Sequence, residues 1–203
     1  MVFPAPRGTL PITLIARAGK PKPETMKPKP HLNESGLYDY AVKALGRRMR
    51  TEAELRRLMR NRVEPGSGGE GVIQAVVTRL KEQHYLDDRS YAETFSRLRR
   101  ENDKFGQRRV RQDLGQRGVT SSVVEQVVTE SYAKTDEETL ARQYLERKRL
   151  RKPANEKETA RVMRRLVAAG FSIKVIYRIL RQWHVPDESL AALDNLADEP
   201  TQD

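Results

Sequence analysis

An apolar pattern that occurs three times along the chain constrains the fold more than any other feature. Its copies are Val72, Ile73, Val76 and Val77; Val123, Val124, Val127 and Val128; and Val175, Ile176, Ile179 and Leu180. The copies are offset by 51 and 52 residues. Positions i, i+1, i+4 and i+5 lie on one side of an α-helix, so each copy predicts a helix with one buried stripe. Such a fixed interval is typical of tandem structural units.

The 52-residue offset extends upstream of the second and third copies. A helix that ends at glycine before a hydroxyl N-cap residue is repeated, with Val110, Leu114, Gly118, Val119 and Thr120 corresponding to Val162, Leu166, Gly170, Phe171 and Ser172. Each unit has room for one preceding helix, in residues 37–48, 88–102 and 136–150. No sustained alternation indicates strands. We predict an all-α fold of three tandem three-helix repeats forming an elongated curved array, each with its own small core. One compact bundle is the alternative.

Capping signals support these helices. Three capping boxes predict helix starts, at Thr51 with Glu54, Thr135 with Glu138, and Asn155 with Glu158. The first unit departs from the other two because Val63 stands where they have glycine. Its turn is also four residues longer and contains the glycine-rich stretch 65–69, which predicts a flexible turn.

Charge divides the chain into a folded block and two tails. The chain has 39 Lys+Arg and 28 Asp+Glu, a net charge of +11. Residues 1–36 hold six bases, two acids and seven of the 11 prolines, which predicts a disordered basic arm of charge +4. Residues 187–203 hold six acids and no base, an acidic tail of charge −6. The remaining +13 falls on the three predicted repeats, residues 37–87, 88–134 and 135–186.

Catalytic patterns are missing from the sequence. It has no cysteine, and His31, His84 and His184 are scattered without the carboxylate spacing of a metal or nucleophile site. Asp87 and Asp88 directly precede a predicted helix, where an N-cap residue and a dipole-matched charge are expected. No stretch approaches the roughly 18 apolar residues of a membrane span. We therefore expect a cytoplasmic, monomeric, non-enzymatic protein without a cofactor or metal.

Two basic segments point to an anionic partner. Residues 97–117 hold eight bases against three acids, and residues 142–165 hold ten against three. A surplus of one sign over neighbouring helices favours neutralisation by phosphates, since each contact releases a counterion. The predicted binding residues are Arg99, Arg100, Lys104, Arg108, Arg109, Arg111, Arg147, Lys148, Arg149, Arg151 and Lys152.

A further set of residues resembles the signature of the RecX family, bacterial regulators of the RecA recombinase. These residues are Tyr85-Leu86-Asp87-Asp88, Tyr91-Ala92, Phe95, Arg99-Arg100, Phe105-Gly106, Arg108-Arg109, Leu114 and Gly118-Val119. The resemblance covers about residues 37–186 and implies three tandem three-helix units. It also implies a modulator that docks in the groove of the RecA filament on single-stranded DNA and depresses ATP hydrolysis and strand exchange. We assign Tyr91, Phe95, Leu114 and Gly118 to packing and turn geometry.

Two other functions compete with this interpretation. Residues 112–128 could form the helix-turn-helix of a transcription factor, with the helix after Thr120 as the reader. That helix offers Ser121, Ser122, Glu125 and Gln126 but no Arg or Lys. It therefore lacks the side chains that most often contact guanine in the major groove. The third possibility is a helical array whose basic face binds an acidic protein. A preferred duplex sequence in footprinting would favour the transcription factor.

Overall fold

The computed structural model describes residues 31–185, and within them it confirms the predicted all-α fold. Nine α-helices and no strand occur in this range. The helices are α1 (Glu34–Arg47), α2 (Glu52–Arg60), α3 (Ser67–Glu82), α4 (Asp88–Leu98), α5 (Gln107–Gln116), α6 (Ser121–Tyr132), α7 (Glu137–Arg147), α8 (Glu156–Ala168) and α9 (Ile173–Gln182). A π-helical turn, Arg99–Asp103, continues α4. None of these helices is long and apolar enough to cross a membrane.

Side-chain caps begin most of the helices. Thr51 and Asn155 each accept a hydrogen bond from the N–H three residues later, which confirms the predicted helix starts. The return bond of a capping box differs, because Glu158 accepts from the Ala154 N–H at 2.9 Å and Glu54 pairs with Arg117.

The start predicted at Thr135 is wrong by one residue. Asp136 is the N-cap of α7, because its carboxylate accepts from both the N–H and the hydroxyl of Thr139. The carboxylate of Asp136, with two donors, is a stronger N-cap acceptor than the hydroxyl of Thr135 would be with one.

The glycine-rich stretch differs from its prediction as a flexible turn. Helix α3 begins at Ser67, so most of the glycines lie in its first turns. Gly69 sits directly against the Glu64 carbonyl, and a Cβ at Gly69 would lie 2.1 Å from that oxygen. The helix therefore starts early because glycine permits close backbone contact here.

The predicted disordered arm also ends earlier than residue 36. Asn33 caps α1 by accepting from the Gly36 N–H at 2.9 Å. The Leu32 N–H donates to the Arg62 carbonyl at 2.7 Å, so the segment before α1 is tied to the end of α2. The rest of the arm, residues 1–30, and the acidic tail lie outside the described residues.

The apolar interior forms two cores, whereas the sequence predicts one in each unit. One core lies among α1, α2 and α3. The other runs without a break from α4 to the end of α9, joining the second and third repeats. Within each repeat the last helix, α3, α6 or α9, packs against the other two. The stripes that identified the repeats supply much of this interior, with Ile73, Val127 and Ile179 fully buried.

The junction between the second and third repeats is a close backbone contact. The Gly106 N–H donates to the Ala169 carbonyl at 2.8 Å. A Cβ at Gly106 would lie 2.3 Å from the Gly170 carbonyl oxygen, and Gly170 itself has a φ of +89°. Because both positions are glycine, the N-terminus of α5 reaches the α8–α9 turn and the two repeats merge their cores.

The junction between the first and second repeats is polar. The Thr51 hydroxyl donates to the Arg117 carbonyl at 2.6 Å, and the Arg117 guanidinium pairs with Glu54 at 2.8 Å. The Glu52 N–H donates to the Asp88 carboxylate at 2.8 Å. Burial raises the pKa of Asp88 above its usual range. Here the two apolar cores stay separate.

Candidate nucleic-acid interface

Three aromatic rings line the junction between the second and third repeats. Phe105 lies 6.2 Å from Tyr144, and Tyr144 meets the edge of Phe171 at 5.8 Å between ring centroids. Burial raises the pKa of Tyr144, against an opposing effect of nearby Arg165 and Arg109. Cations from both repeats therefore lie close to one aromatic group.

Several of the predicted binding residues lie over these rings. The Arg99 guanidinium is 5.8 Å from the Phe105 centroid, and that of Arg109 is 6.0 Å from it. Lys148, from the third repeat, is 5.9 Å from the Tyr144 centroid. Such contacts hold a cation near an aromatic face. The two basic segments predicted from sequence thus meet at one place.

Asp103 lies between the two segments. It pairs with Arg99 at 2.8 Å and with Arg147 at 3.7 Å, so one carboxylate is shared by two guanidinium groups. It also ends the π-helical turn, after which Lys104 adopts a φ of 58° and the chain turns into Phe105. π-Helical turns are frequent at functional sites because the extra residue redirects the chain.

The backbone beyond this turn is fixed by Tyr132. Its hydroxyl donates to the Phe105 carbonyl at 2.8 Å. Burial raises the pKa of Tyr132, against the opposing effects of Arg100 and Arg111, so the phenol stays a hydrogen-bond donor throughout the physiological pH range. Helix α6 therefore fixes the backbone of Phe105 at the aromatic junction.

Internal partners neutralise part of the predicted central cluster. Arg111 makes a two-pronged bond to Glu125, at 2.9 and 3.1 Å. Arg100 donates to the Ser131 carbonyl and pairs with Glu101. Arg109 pairs with Asp113 at 2.9 Å. These guanidinium groups support the fold, and their charge is less available to a ligand than the sequence suggests.

The remaining predicted residues keep their charge unpaired. Within residues 31–185, no acidic side chain pairs with Lys104, Arg108, Lys148, Arg149, Arg151 or Lys152. All except the half-buried Lys104 are exposed. Most of them lie in the segment that joins α7 to α8, so the open positive charge is concentrated in the third repeat.

Helix α8 extends this charge in a way that the predicted site did not include. Its four basic side chains are exposed and have no acidic partner among the described residues; they are Lys157, Arg161, Arg164 and Arg165. Three of them are spaced four residues apart and so follow one another along the helix surface. The repeat offset offered a signal, because Arg161 corresponds to Arg109. We define the α8 basic surface as these four residues together with Lys148, Arg149, Arg151 and Lys152.

The helix proposed as a major-groove reader, α6, carries no Lys or Arg. Its Glu125 is engaged by Arg111 and by the Thr129 hydroxyl, which donates to the carboxylate at 3.4 Å. Hydrogen bonds from Arg111 lower the pKa of Glu125. Both acids of α6 are therefore paired, Glu125 with Arg111 and Glu130 with Arg89, and the helix offers no cation to a base edge.

Signature residues other than the arginines serve packing and turns. Tyr91 and Leu114 are buried, and Gly118 has a φ of +81° with Ala53 against it. Asp87 caps α4, as predicted, because its carboxylate accepts from the N–H groups of Arg89 and Ser90. No group of three His, Asp or Glu side chains that could hold a metal occurs among residues 31–185.

Comparison with known proteins gives consistent matches. Residues 87–128 match the family model of the second three-helix domain of RecX. Regulatory protein RecX of Pseudomonas entomophila is 32% identical over 143 residues, covering 69% of this chain and 86% of that protein. The RecX of Cronobacter sakazakii is 33% identical, covering 73% and 93%. The RecX of Geobacillus thermodenitrificans is 30% identical, and the match spans 58% of its length and 77% of this chain.

Solved structures show the same fold. The crystal structure of RecX from Lactobacillus salivarius superposes with a TM-score of 0.57 at 19% identity, covering 74% of this chain and 96% of that one. A second crystal structure, of a regulatory protein RecX, gives a TM-score of 0.62 at 22% identity, covering 73% of each chain. At these identities the structural likeness concerns the fold alone.

Proposed function

The chain belongs to the RecX family of regulatory proteins, and from this premise we propose that it acts in the cytoplasm as a non-enzymatic regulator of RecA. It binds the RecA filament on single-stranded DNA and inhibits ATP hydrolysis and strand exchange, thereby modulating recombinational repair. The observation that carries the proposal is the α8 basic surface, a set of exposed cations without acidic partners among the described residues.

Unpaired cations favour phosphate binding more than paired ones do. A guanidinium already bonded to a carboxylate must lose that bond before it can contact a phosphate, whereas a solvated one only releases the phosphate's counterion. Arg161 and Arg165 are therefore better candidates than Arg111, although all three lie on basic helices. We therefore place the centre of the proposed binding surface in the third repeat rather than in the second.

The shared core of the second and third repeats also fixes two unpaired cations of the second repeat relative to the third. Lys104 and Arg108 in the second repeat are held against the third by the Gly106 contact and the aromatic rings. A rigid arrangement reduces the entropy lost on binding. We expect both repeats to bind a nucleoprotein filament as one unit.

The test is a titration into RecA, ATP and single-stranded DNA while ATP hydrolysis is followed. Inhibition by the full chain at less than one molecule per RecA protomer supports action on the filament. The double variant Arg161→Glu with Arg165→Glu should lose at least about tenfold in inhibitory potency. The affinity of this variant for single-stranded DNA should also depend less steeply on salt concentration, by the amount expected for the loss of about two phosphate contacts.

A matched control carries the same charge change in the first repeat. Lys43 and Arg57 are exposed, and no acidic side chain pairs with them in the described part of the chain, so Lys43→Glu with Arg57→Glu should keep nearly full inhibition. Equal loss in both double variants would mean that net charge alone matters. Wild-type inhibition by the α8 variant, with an unchanged helical circular dichroism spectrum, would remove this surface from the site.

The structure also separates Arg108 from Arg109, which the sequence treats as a pair. Arg109 forms an ion pair with Asp113 and lies over Phe105, so its reversal would disturb packing. Arg108 is exposed and is the cleaner substitution. Arg108→Glu should weaken filament binding without a change in thermal stability.

A further inference from the structure

The N-terminus of α8 lies at the edge of an open groove. The groove has a volume of about 490 Å³ and is lined by residues that include Lys152, Pro153, Asn155, Trp183 and Val185. In the first and second repeats, the corresponding helix ends at α2 and α5 are covered by the repeat that follows. The described residues place no further repeat on α8.

The chain leaves α9 in the same way as it leaves α3. His84 and His184 have φ values of 58° and 57°, in the left-handed region. The Tyr85 N–H donates to the Leu80 carbonyl at 2.9 Å. In the same way, the Val185 N–H donates to the Leu180 carbonyl at 3.2 Å. The two exits therefore point the following segment in the same local direction relative to the helix.

The residues that follow the two exits carry acids at the same distance. After α3 come Asp87 and Asp88, and the Asp88 carboxylate accepts from the Glu52 N–H in the first turn of α2. After α9, 100 residues further along, come Asp187 and Glu188. An acid therefore follows each of the two exits at the same number of residues along the chain.

We propose that the acidic tail, residues 187–203, binds in cis in the groove at the N-terminus of α8 and competes with phosphates for the cations beside it. In this arrangement Glu188 accepts from a backbone N–H in the first turn of α8, as Asp88 does at α2. The competition rests on the proposed function of the α8 basic surface, whereas the docking does not.

Charge and connectivity both favour this occupant. The tail has six acids and no base. Lys152 lines the groove and Arg151 precedes it in the chain, and neither has an acidic partner among residues 31–185. Glu156 is the single acid in the described lining, so the basic residues around it set the sign of the local charge only together with the rest of the α8 basic surface. The tail begins two residues after Val185, which lines the groove, so its effective concentration there is in the millimolar range. A contact that would be weak between separate molecules is then sufficient to occupy the groove.

Trp183 provides a direct readout because it lines the groove and is the chain's single tryptophan. The full chain is compared with a variant that ends at Pro186 and with Asp187→Asn plus Glu188→Gln. We expect the emission of Trp183 to shift, and its quenching by acrylamide to rise, in both variants. Added salt should shift the full chain toward the variants. Identical Trp183 emission and quenching in all three proteins would overturn the docking.

The competition is measured by the anisotropy of a labelled oligothymidylate. If the tail occupies the groove about nine-tenths of the time, its removal should tighten the apparent Kd about tenfold at low salt. The difference should vanish at high salt. A control with Glu34→Gln, Asp39→Asn, Glu64→Gln and Glu82→Gln removes exposed acids from the first repeat and should tighten binding much less.

The outcomes separate the two proposals. Equal affinity of the truncated and full chains, or an equal gain in the control, would overturn the competition. A full chain that does not bind oligothymidylate, yet shows the Trp183 response, would support the docking and contradict the proposed function.

Discussion

The two junctions between repeats use the same acceptor position but different donors. The Arg117 carbonyl accepts from the Thr51 hydroxyl, whereas the Ala169 carbonyl, 52 residues later, accepts from the Gly106 N–H. At the first junction the close contact at glycine is with a side chain, that of Ala53 against Gly118, whereas at the second two backbones meet at Gly106 and Gly170. The repeats share an apolar core only across the second junction.

This difference has consequences for cooperativity. Repeats that share apolar surface unfold together, whereas repeats joined by hydrogen bonds and ion pairs can separate at lower cost. We expect the second and third repeats to form one cooperative unit that carries the α8 basic surface. The first repeat is attached to this unit by contacts that salt weakens.

The largest expected effect comes from Gly106→Ala at the apolar junction. Its Cβ would lie 2.3 Å from a backbone oxygen that cannot move without moving the α8–α9 turn. We expect a loss of about 3 kcal/mol in the free energy of unfolding, measured by urea denaturation. The cooperative transition should also split, because the second and third repeats would no longer share one core.

Gly115→Ala is the matched control, because Gly115 lies in α5 with nothing within 4 Å of the added Cβ. In a helix this change should stabilise by up to about 1 kcal/mol. A loss at Gly115 as large as that at Gly106 would show that α5 responds to any added methyl group, and the junction would not be special.

A smaller effect is expected from Thr51→Val at the polar junction. The buried hydroxyl both donates to Arg117 and accepts from the Glu54 N–H, so the change should cost about 1–2 kcal/mol. Thr120→Val is the control, because Thr120 occupies the N-cap position of α6 without a side-chain cap bond. If the two variants lose equal stability, the Thr51 bond does not hold the junction.

The smallest effect concerns the ion pair between Glu54 and Arg117. A double-mutant cycle to alanine should give a coupling of about 0.5–1 kcal/mol at low salt. The coupling should fall as salt is added. The corresponding cycle for Asp103 and Arg147, whose 3.7 Å pair crosses the apolar junction, should give less. A larger value there would reverse the comparison between the junctions.

Much of the fold follows from local sequence signals. The apolar stripes, the glycine-ended helices and the caps at Thr51 and Asn155 depend on residues within a few positions of one another. The cap at Asp136 was missed because two adjacent residues compete and only the side-chain geometry decides between them. The merging of two cores was missed because it depends on the distance between Gly106 and Gly170, which are far apart in the sequence.

The candidate site was less predictable for a similar reason. A count of charges finds the basic segments, but it does not show that Glu125 lies against Arg111 or that Asp103 is shared by two guanidinium groups. Pairing between helices depends on tertiary packing. The basic residues of α8 were in the counted segment, yet nothing in their local sequence distinguishes an unpaired cation from a paired one.

The bond from Leu32 to the Arg62 carbonyl places a third member in the series formed by Arg117 and Ala169. Each module offers the same carbonyl to what precedes it, which is a short peptide segment at the first module and a whole module at the other two. Duplication or loss of an entire module would then leave every remaining interface chemically complete. A module added at the N-terminal side would therefore find its acceptor carbonyl already in place.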